Sequence, residues 1–447
     1  MKYPFHAAVL IAAVLTGTGA QAASSIAAGV TRTRIAGIDV IADRTAAKDV
    51  VIITGSLPAG EAFSPQGKPA IAMLTAAMLD KGTTKHDKFA LGKLLEDAGA
   101  SIEFDADNST MSFSVHCLKE DLPMVVSLLA EQMRSPAFSA EEFDKLKKQA
   151  IGGIQQMMED PGARSAESFH SAVYPQGHPN HTPSSDEQIA GISAAQVQDI
   201  KTFHAENYGP DHMTLVVAGD FDVQSLRPLI EKSFSGWSGG KAIPTAHSAA
   251  GFVNSGSEKT VFMPGKTSIA VKIGQATGLT YHDQDTLALR VATAVLGSGF
   301  TGRLMHYVRD NEGLTYAIAA KLSNDTYADG EWVIDATFAP DLLDKGIASV
   351  KRQLSEWYSQ GVTADELAQR KTQLVGNYFV GMSTTAGLAG ALLSTVQRGY
   401  DLAWLDEYPK AIQALTVAQV NGAIKKYLDP KKMLVIKAGT VGEAAKS

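Results

Sequence analysis

The sequence predicts an α+β fold of two duplicated domains, each a mostly antiparallel or mixed sheet with helices packed on one face. Three observations carry this prediction. The chain has 447 residues, roughly three times the commonest domain size. Strand-like segments such as 50–55 and 269–273 alternate with long amphipathic helical patterns, and hairpin-like pairs such as 101–104 against 111–115 favour antiparallel pairing. Finally, the first half recurs in the second.

Composition narrows the class. Hydrophobic residues make up 45% and charged residues 19%, with 4 Trp, 12 Tyr and 16 Phe, enough for sizeable cores. A net charge of −7 with no basic stripe argues against a nucleic-acid partner. The single Cys117 excludes a disulfide framework and a thiolate zinc cage, and its apolar context places it in a core.

The chain opens with Met1-Lys2, an apolar run from Ala7 to Leu15 and the small-residue site Ala20-Gln21-Ala22. A short positive start, a brief apolar stretch and an A-x-A site read as a signal peptide over residues 1–22. That run is too short to span a bilayer, and no later segment reaches ~18 uninterrupted apolar residues. A periplasmic protein with no membrane association is the expectation.

The repeat fixes the domain organisation. Ile192-Ser193-Ala194-Ala195-Gln196-Val197 matches Leu415-Thr416-Val417-Ala418-Gln419-Val420 at an offset of 223 (419 − 196). Pro210 and Met213 match Pro430 and Met433 at an offset of 220 (433 − 213), and Ala140-Glu141-Glu142 matches Ala364-Asp365-Glu366 at 224 (364 − 140). In each block Ser or Thr with nearby acids opens a helix, and a helix ending before Pro leads into a β-branched strand. A period this long excludes a solenoid. It predicts an N-terminal domain over 24–235, a Gly-, Ser- and Ala-rich linker over 236–257 and a C-terminal domain over 258–447.

A helix is predicted from Pro69 to Lys81, with Pro at its start and Gly82 after its end. Here Met78-Leu79-Asp80-Lys81-Gly82-Thr83 resembles the pitrilysin/insulinase family of zinc peptidases, whose inverted H-x-x-E-H helix often continues M-L-x-x-G-T. The resemblance places the family's two histidines at Met73 and Ala77, its glutamate at Ala76 and its third ligand near Gly153. None of these supplies a metal donor or a carboxylate base. The expectation is therefore no family-type zinc site in this chain and no peptidase activity of the chain alone. His178-Pro179-Asn180-His181 has superficially ligand-like spacing, but Pro179 prevents a clean helical face, and a surface loop is expected. His116, His170, His204 and His212 are scattered and no ligand role is read from them.

In the second half, Gly297-Ser298-Gly299-Phe300-Thr301-Gly302 has the literal form G-x-G-x-x-G. It follows a helical pattern and not a strand, so it reads as a bend between helices, not a dinucleotide loop. Together with Arg303-Leu304 and the run from Val308 to Tyr316 it resembles the same family's second-domain signature. The resemblance gives Arg309 and Tyr316 the positions of an Arg/Tyr pair that reaches across a clamshell toward the substrate backbone. Arg offers a permanent charge and a fork of donors, Tyr a phenolic donor on a rigid body. Resemblance over nearly the whole chain, with the zinc helix stripped and the Arg/Tyr signature kept, implies the non-catalytic subunit of a two-subunit bacterial zinc peptidase. Zinc is then expected in a homologous H-x-x-E-H-bearing partner, and the substrate is a peptide or unfolded protein. The resemblance further implies peptide addition to the strand around residues 55–60. A free-standing peptide-binding or holdase-like clamshell is the alternative, and a zinc peptidase with ligands foreign to the family is disfavoured by the donor inventory.

Overall fold

A computed structural model describes residues 25–243 and 254–441. The signal-peptide reading over 1–22 and part of the linker reading fall outside the described residues.

The first half begins with strands β1 (Val30–Ile35), β2 (Ile38–Arg44) and β3 (Val50–Leu57), then helices α1 (Ile71–Ala76) and α2 (Lys88–Asp97). A hairpin of β4 (Ser101–Ala106) and β5 (Met111–Leu118) leads to α3 (Leu122–Arg134), α4 (Ala140–Met158) and α5 (Pro161–Val173). Helices α6 (Ser185–Ala194) and α7 (Val197–Asn207), strand β6 (Thr214–Gly219) and α8 (Val223–Phe234) complete it. The second half runs β7 (Glu258–Phe262), β8 (Ile269–Ala276), α9 (Thr286–Gly297), β9 (Thr315–Ser323) and β10 (Glu331–Phe338). It continues with α10 (Leu343–Gln360), α11 (Ala364–Gly381), α12 (Thr385–Gln397), α13 (Trp404–Ala414), α14 (Val417–Tyr427) and β11 (Leu434–Gly439).

The strands form two mixed sheets, ordered β1-β2-β6-β3-β5-β4 and β7-β11-β8-β10-β9. Pairing is antiparallel except for β2 with β6 and β7 with β11. Apart from β1, the second order repeats the first, so the duplication is present in the topology. The expected hairpin is the β4–β5 pair, with Ile102 opposite Val115 and Phe104 opposite Phe113.

The structure corrects one register of the repeat. Ser193 lies inside α6, and α7 is capped by Gln196, whereas Thr416 caps α14. The equivalent caps are thus 220 apart, as are Gly219 and Gly439, whose φ values are +134° and +142°. Ser193 had mimicked a cap because small polar residues suit either register one helical turn apart. The same symmetry appears in side chains: Lys147 Nζ donates to the carbonyls of Ser193 and Ala195, and Lys371 Nζ to those of Gln413 and Leu415.

The sheet faces carry a further feature. Helices of each half pack on one face of their own sheet, but the opposite face is also buried. Helix α12 of the second half lies on β3 and β6, and α5 of the first half lies on β8 and β11. Neighbouring strand residues therefore divide between two cores: Val40, Val51 and Val217 join the first half's own core, while Ile41, Ile52 and Val216 pack with Leu392 and Leu393 of α12. Across the other sheet, Phe169 and Val173 of α5 meet Val333, Leu434 and Ile436. Strands apolar on both sides need cover on both sides, and the exchanged helices supply it.

A second correction concerns strand edges. Residues 55–57 belong to β3, which pairs with β6 and β5 on its two sides, so this segment is interior and cannot accept an added strand. Gly60 and Glu61 are likewise bonded to the carbonyls of Ser109 and Asp107. The outer strands are β1 and β4 in one sheet and β7 and β9 in the other. Among the described residues no single helix is long and apolar enough to cross a membrane; the pair α11 and α12 passes jointly but is bent by 112°.

Candidate functional site

Helix α1 is shorter than the predicted span of Pro69 to Lys81. After Ala77 N–H, which donates to Met73, the bonds tighten to three-residue turns: Met78 to Thr75, Leu79 to Ala76 and Lys81 to Met78. Gly82, at φ +114°, ends the segment as expected. The Glu61 carboxylate fixes the helix start by accepting from the backbone N–H groups of Ala70 and Met73, with Ser64 bridging to Ala72. Burial pushes the Glu61 carboxyl up, against the lowering effect of these bonds.

Met73 and Ala77 lie half-buried on one face of α1, with Ala76 buried beside them. The face therefore presents one thioether and two methyl groups. Gly153 is exposed on α4, and a Cβ placed there would meet nothing within 4 Å. Among the described residues no group of three or more His, Cys, Asp or Glu is placed to hold a metal ion.

His178 departs from the surface-loop expectation. It is buried, its Nε2 lies 2.9 Å from Asp329 Oδ1, and its Nδ1 accepts from the Asn180 N–H at 3.0 Å. That pattern assigns the proton to Nε2. Asn180 Nδ2 donates to the carbonyls of Asn324 and Asp329, so the loop after α5 is pinned to the β9–β10 hairpin of the other half. Proline had excluded a helical ligand face, but it does not prevent a loop from folding inward when its polar groups are paired. Cys117 is buried as expected, and burial pushes its thiol up to about 11.

The glycine motif follows α9, with Ser298 as its cap and Gly299 at φ +64°, and leads toward a π-helical segment from Met305 to Asn311. Arg309 stands on that segment and Tyr316 is the second residue of β9. The Arg309 guanidinium carbon lies 5.3 Å from the Tyr316 ring centroid and 5.5 Å from that of Phe300. Both rings are exposed, Tyr316 by 84% and Phe300 by 76%. The structure thus brings the two predicted residues together and adds Phe300, which sequence reasoning missed. An aromatic held between glycines in a bend was the available signal.

These residues border a cavity of about 540 Å³ on the face of the second sheet. Its walls include Ala270, Val271, Met305, Ala319 and Thr337, with Gly162 of α5 at the rim. At its floor Asp335 pairs with Lys272 and, at 3.0 Å, with Lys321. Burial raises the Asp335 carboxyl, but the two ammonium groups outweigh it and hold the group below the ordinary carboxylate value. Arg309 makes no side-chain hydrogen bond or ion pair among the described residues; its only neighbours of note are the two rings.

The comparisons with known proteins agree with this architecture. Residues 39–183 match the insulinase family, peptidase family M16, and residues 194–374 match the peptidase M16 inactive domain. The chain is 22% identical over 380 residues to the non-peptidase homolog YmxG of Helicobacter pylori, spanning 83% of this chain and 84% of that protein. Its fold resembles a peptidase M16 inactive domain structure from Pseudomonas fluorescens, with a TM-score of 0.83, 23% identity and coverage of 94% of this chain and 100% of that one. It also resembles a protease from Helicobacter pylori, with a TM-score of 0.82, 18% identity and coverage of 92% and 99%. Two family matches that together span most of the sequence, laid on a duplicated sheet topology, establish that the chain belongs to peptidase family M16.

Proposed function

We propose that this chain is the exported, zinc-free subunit of a two-subunit M16 peptidase, and that it hydrolyses no peptide by itself. It closes a chamber over a homologous H-x-x-E-H-bearing partner and lends Arg309 and Tyr316 to peptide bound at the partner's zinc. One observation carries the reading: Arg309, half-buried between two exposed rings, has no anion or acceptor partner among the described residues. A guanidinium so placed can take a peptide carbonyl or stabilise negative charge developing on one. The lack of metal donors at Met73, Ala76, Ala77 and Gly153 supports a reading in which the metal chemistry belongs to another chain. The edge strand β9, which carries Tyr316 near its start, offers unpaired backbone along which an extended peptide can lie.

The test is turnover by the assembled complex. Arg309→Ala is expected to lower kcat about 100-fold, the magnitude of losing one charge-stabilising donor, with the partner's zinc content unchanged. Cleavage at the normal rate would refute the role of the pair.

A further inference from the structure

We infer that the cavity beside Arg309 is a recognition pocket for one apolar side chain of an extended peptide bearing a carboxylate next to that residue. The inference deepens the proposed function and rests on its premise that this chain handles peptides.

The concavity has a structural origin. Helix α5 crosses the outer face of the second sheet but begins only at Pro161. Its Phe169 covers β8 at Gly274, where a Cβ would come within 3.0 Å of that ring. At the other end of β8, α5 offers only Gly162 and Ser165, leaving Ala270 open to the cavity, while Val271 turns into the core on the opposite face. Strands β9 and β10 contribute Ala317, Ala319 and Thr337 to the same face. Small residues on a sheet face, walled by Phe300 and Met305, leave room that the chain's own side chains do not fill. Met305 can adapt its shape to different apolar guests.

Charge gives the second half of the assignment. Lys272 and Lys321 share the carboxylate of Asp335, and Arg309 pairs with no carboxylate among the described residues. Lys272 and Arg309 line the cavity against Asp335, and Lys321 pairs with that carboxylate from beside it, so this mouth is positive on a chain whose net charge is −7. A carboxylate adjacent to the buried side chain complements it, whether from an acidic residue or from the peptide's own C-terminus.

The test measures binding by the full chain without a partner, using fluorescein-labelled hexapeptides of Gly and Ser and reading anisotropy. Four probes are compared: Leu-Asp amidated, Ser-Asp amidated, Leu-Asn amidated, and Leu-Gly ending in a free carboxylate. Leu is expected to bind roughly 10- to 100-fold tighter than Ser, the gain for burying such a side chain. Preference for Leu-Asp over Leu-Asn identifies an internal acid as the anchor, and preference for the free terminus identifies the C-terminus; either result supports the pocket. Ala319→Phe, on an exposed floor position, should erase the Leu preference, and Lys321→Ala should erase the carboxylate preference. Equal binding of Leu and Ser, or indifference to both kinds of carboxylate, overturns the inference. If the assembled complex cleaves peptides in an Arg309-dependent way while this chain shows no such preference, the pocket fails and the proposed function stands. If the chain binds as described but no complex ever cleaves, the pocket stands and the proposed function fails.

Discussion

Glu331 gathers polar contacts from both halves into one buried carboxylate. It accepts from Tyr174, from Ser323 at 2.8 Å and from Asn324 at 2.9 Å, with His170 Nε2 3.5 Å away. Burial raises its pKa, but His170 and the hydroxyl donors overcome that and hold it below the ordinary value. A folded-state pKa below the unfolded one means the unfolded chain binds the extra proton. The stabilisation is therefore complete above ~4.3, the unfolded value, and is lost as pH falls through the lower folded value. Glu331→Gln should cost about 1–3 kcal/mol at neutral pH and should flatten the acid limb of stability against pH. Urea midpoints at pH 7 and pH 4 measure both, and an unchanged acid limb would remove Glu331 from the account. At this scale the sequence was unevenly legible. Arg309 and Tyr316 stand in a motif and could be found from it, whereas the inward turn of His178 depends on Asp329, 151 residues away, and no local pattern announces that contact.

Among elements, the exchanged helices α5 and α12 matter most. Two sheets with separate cores would suggest halves that unfold independently, yet each sheet's outer face is covered by a helix of the other half. Leu392 of α12 is fully buried between the halves. Leu392→Ala should cost roughly 2–5 kcal/mol. Calorimetry should show a single transition in both the wild-type chain and this variant, because neither sheet keeps its cover when the other half melts. Two resolved transitions would contradict the exchange as a source of cooperativity. The strand run Leu215-Val216-Val217 had carried the clue, since an apolar residue on both faces requires two covers. The alternating helices and the repeat were legible because periodicity and capping are local. Which half supplies the second cover is a long-range choice that periodicity does not encode. The premature end of α1 had the same cause: Pro69 and Gly82 marked the limits, but the tightening after Ala77 was not written in either.

At the scale of the whole molecule the central claim is a division of labour. Under the proposed function, this chain would supply the Arg/Tyr pair on a duplicated M16 scaffold, and a second chain would supply zinc and the carboxylate base. The most direct measurement is native affinity purification of the chain from its own cells, with mass spectrometry, metal analysis and a peptide-cleavage assay on the eluate. The account predicts a roughly equal amount of an H-x-x-E-H-bearing homologue, zinc that follows that homologue, and cleavage abolished by a chelator. The chain alone, freed of its partner, should contain no stoichiometric zinc and cleave nothing. Zinc-dependent cleavage by the lone chain, or recovery of the chain with no peptidase homologue and no cleavage, would contradict it.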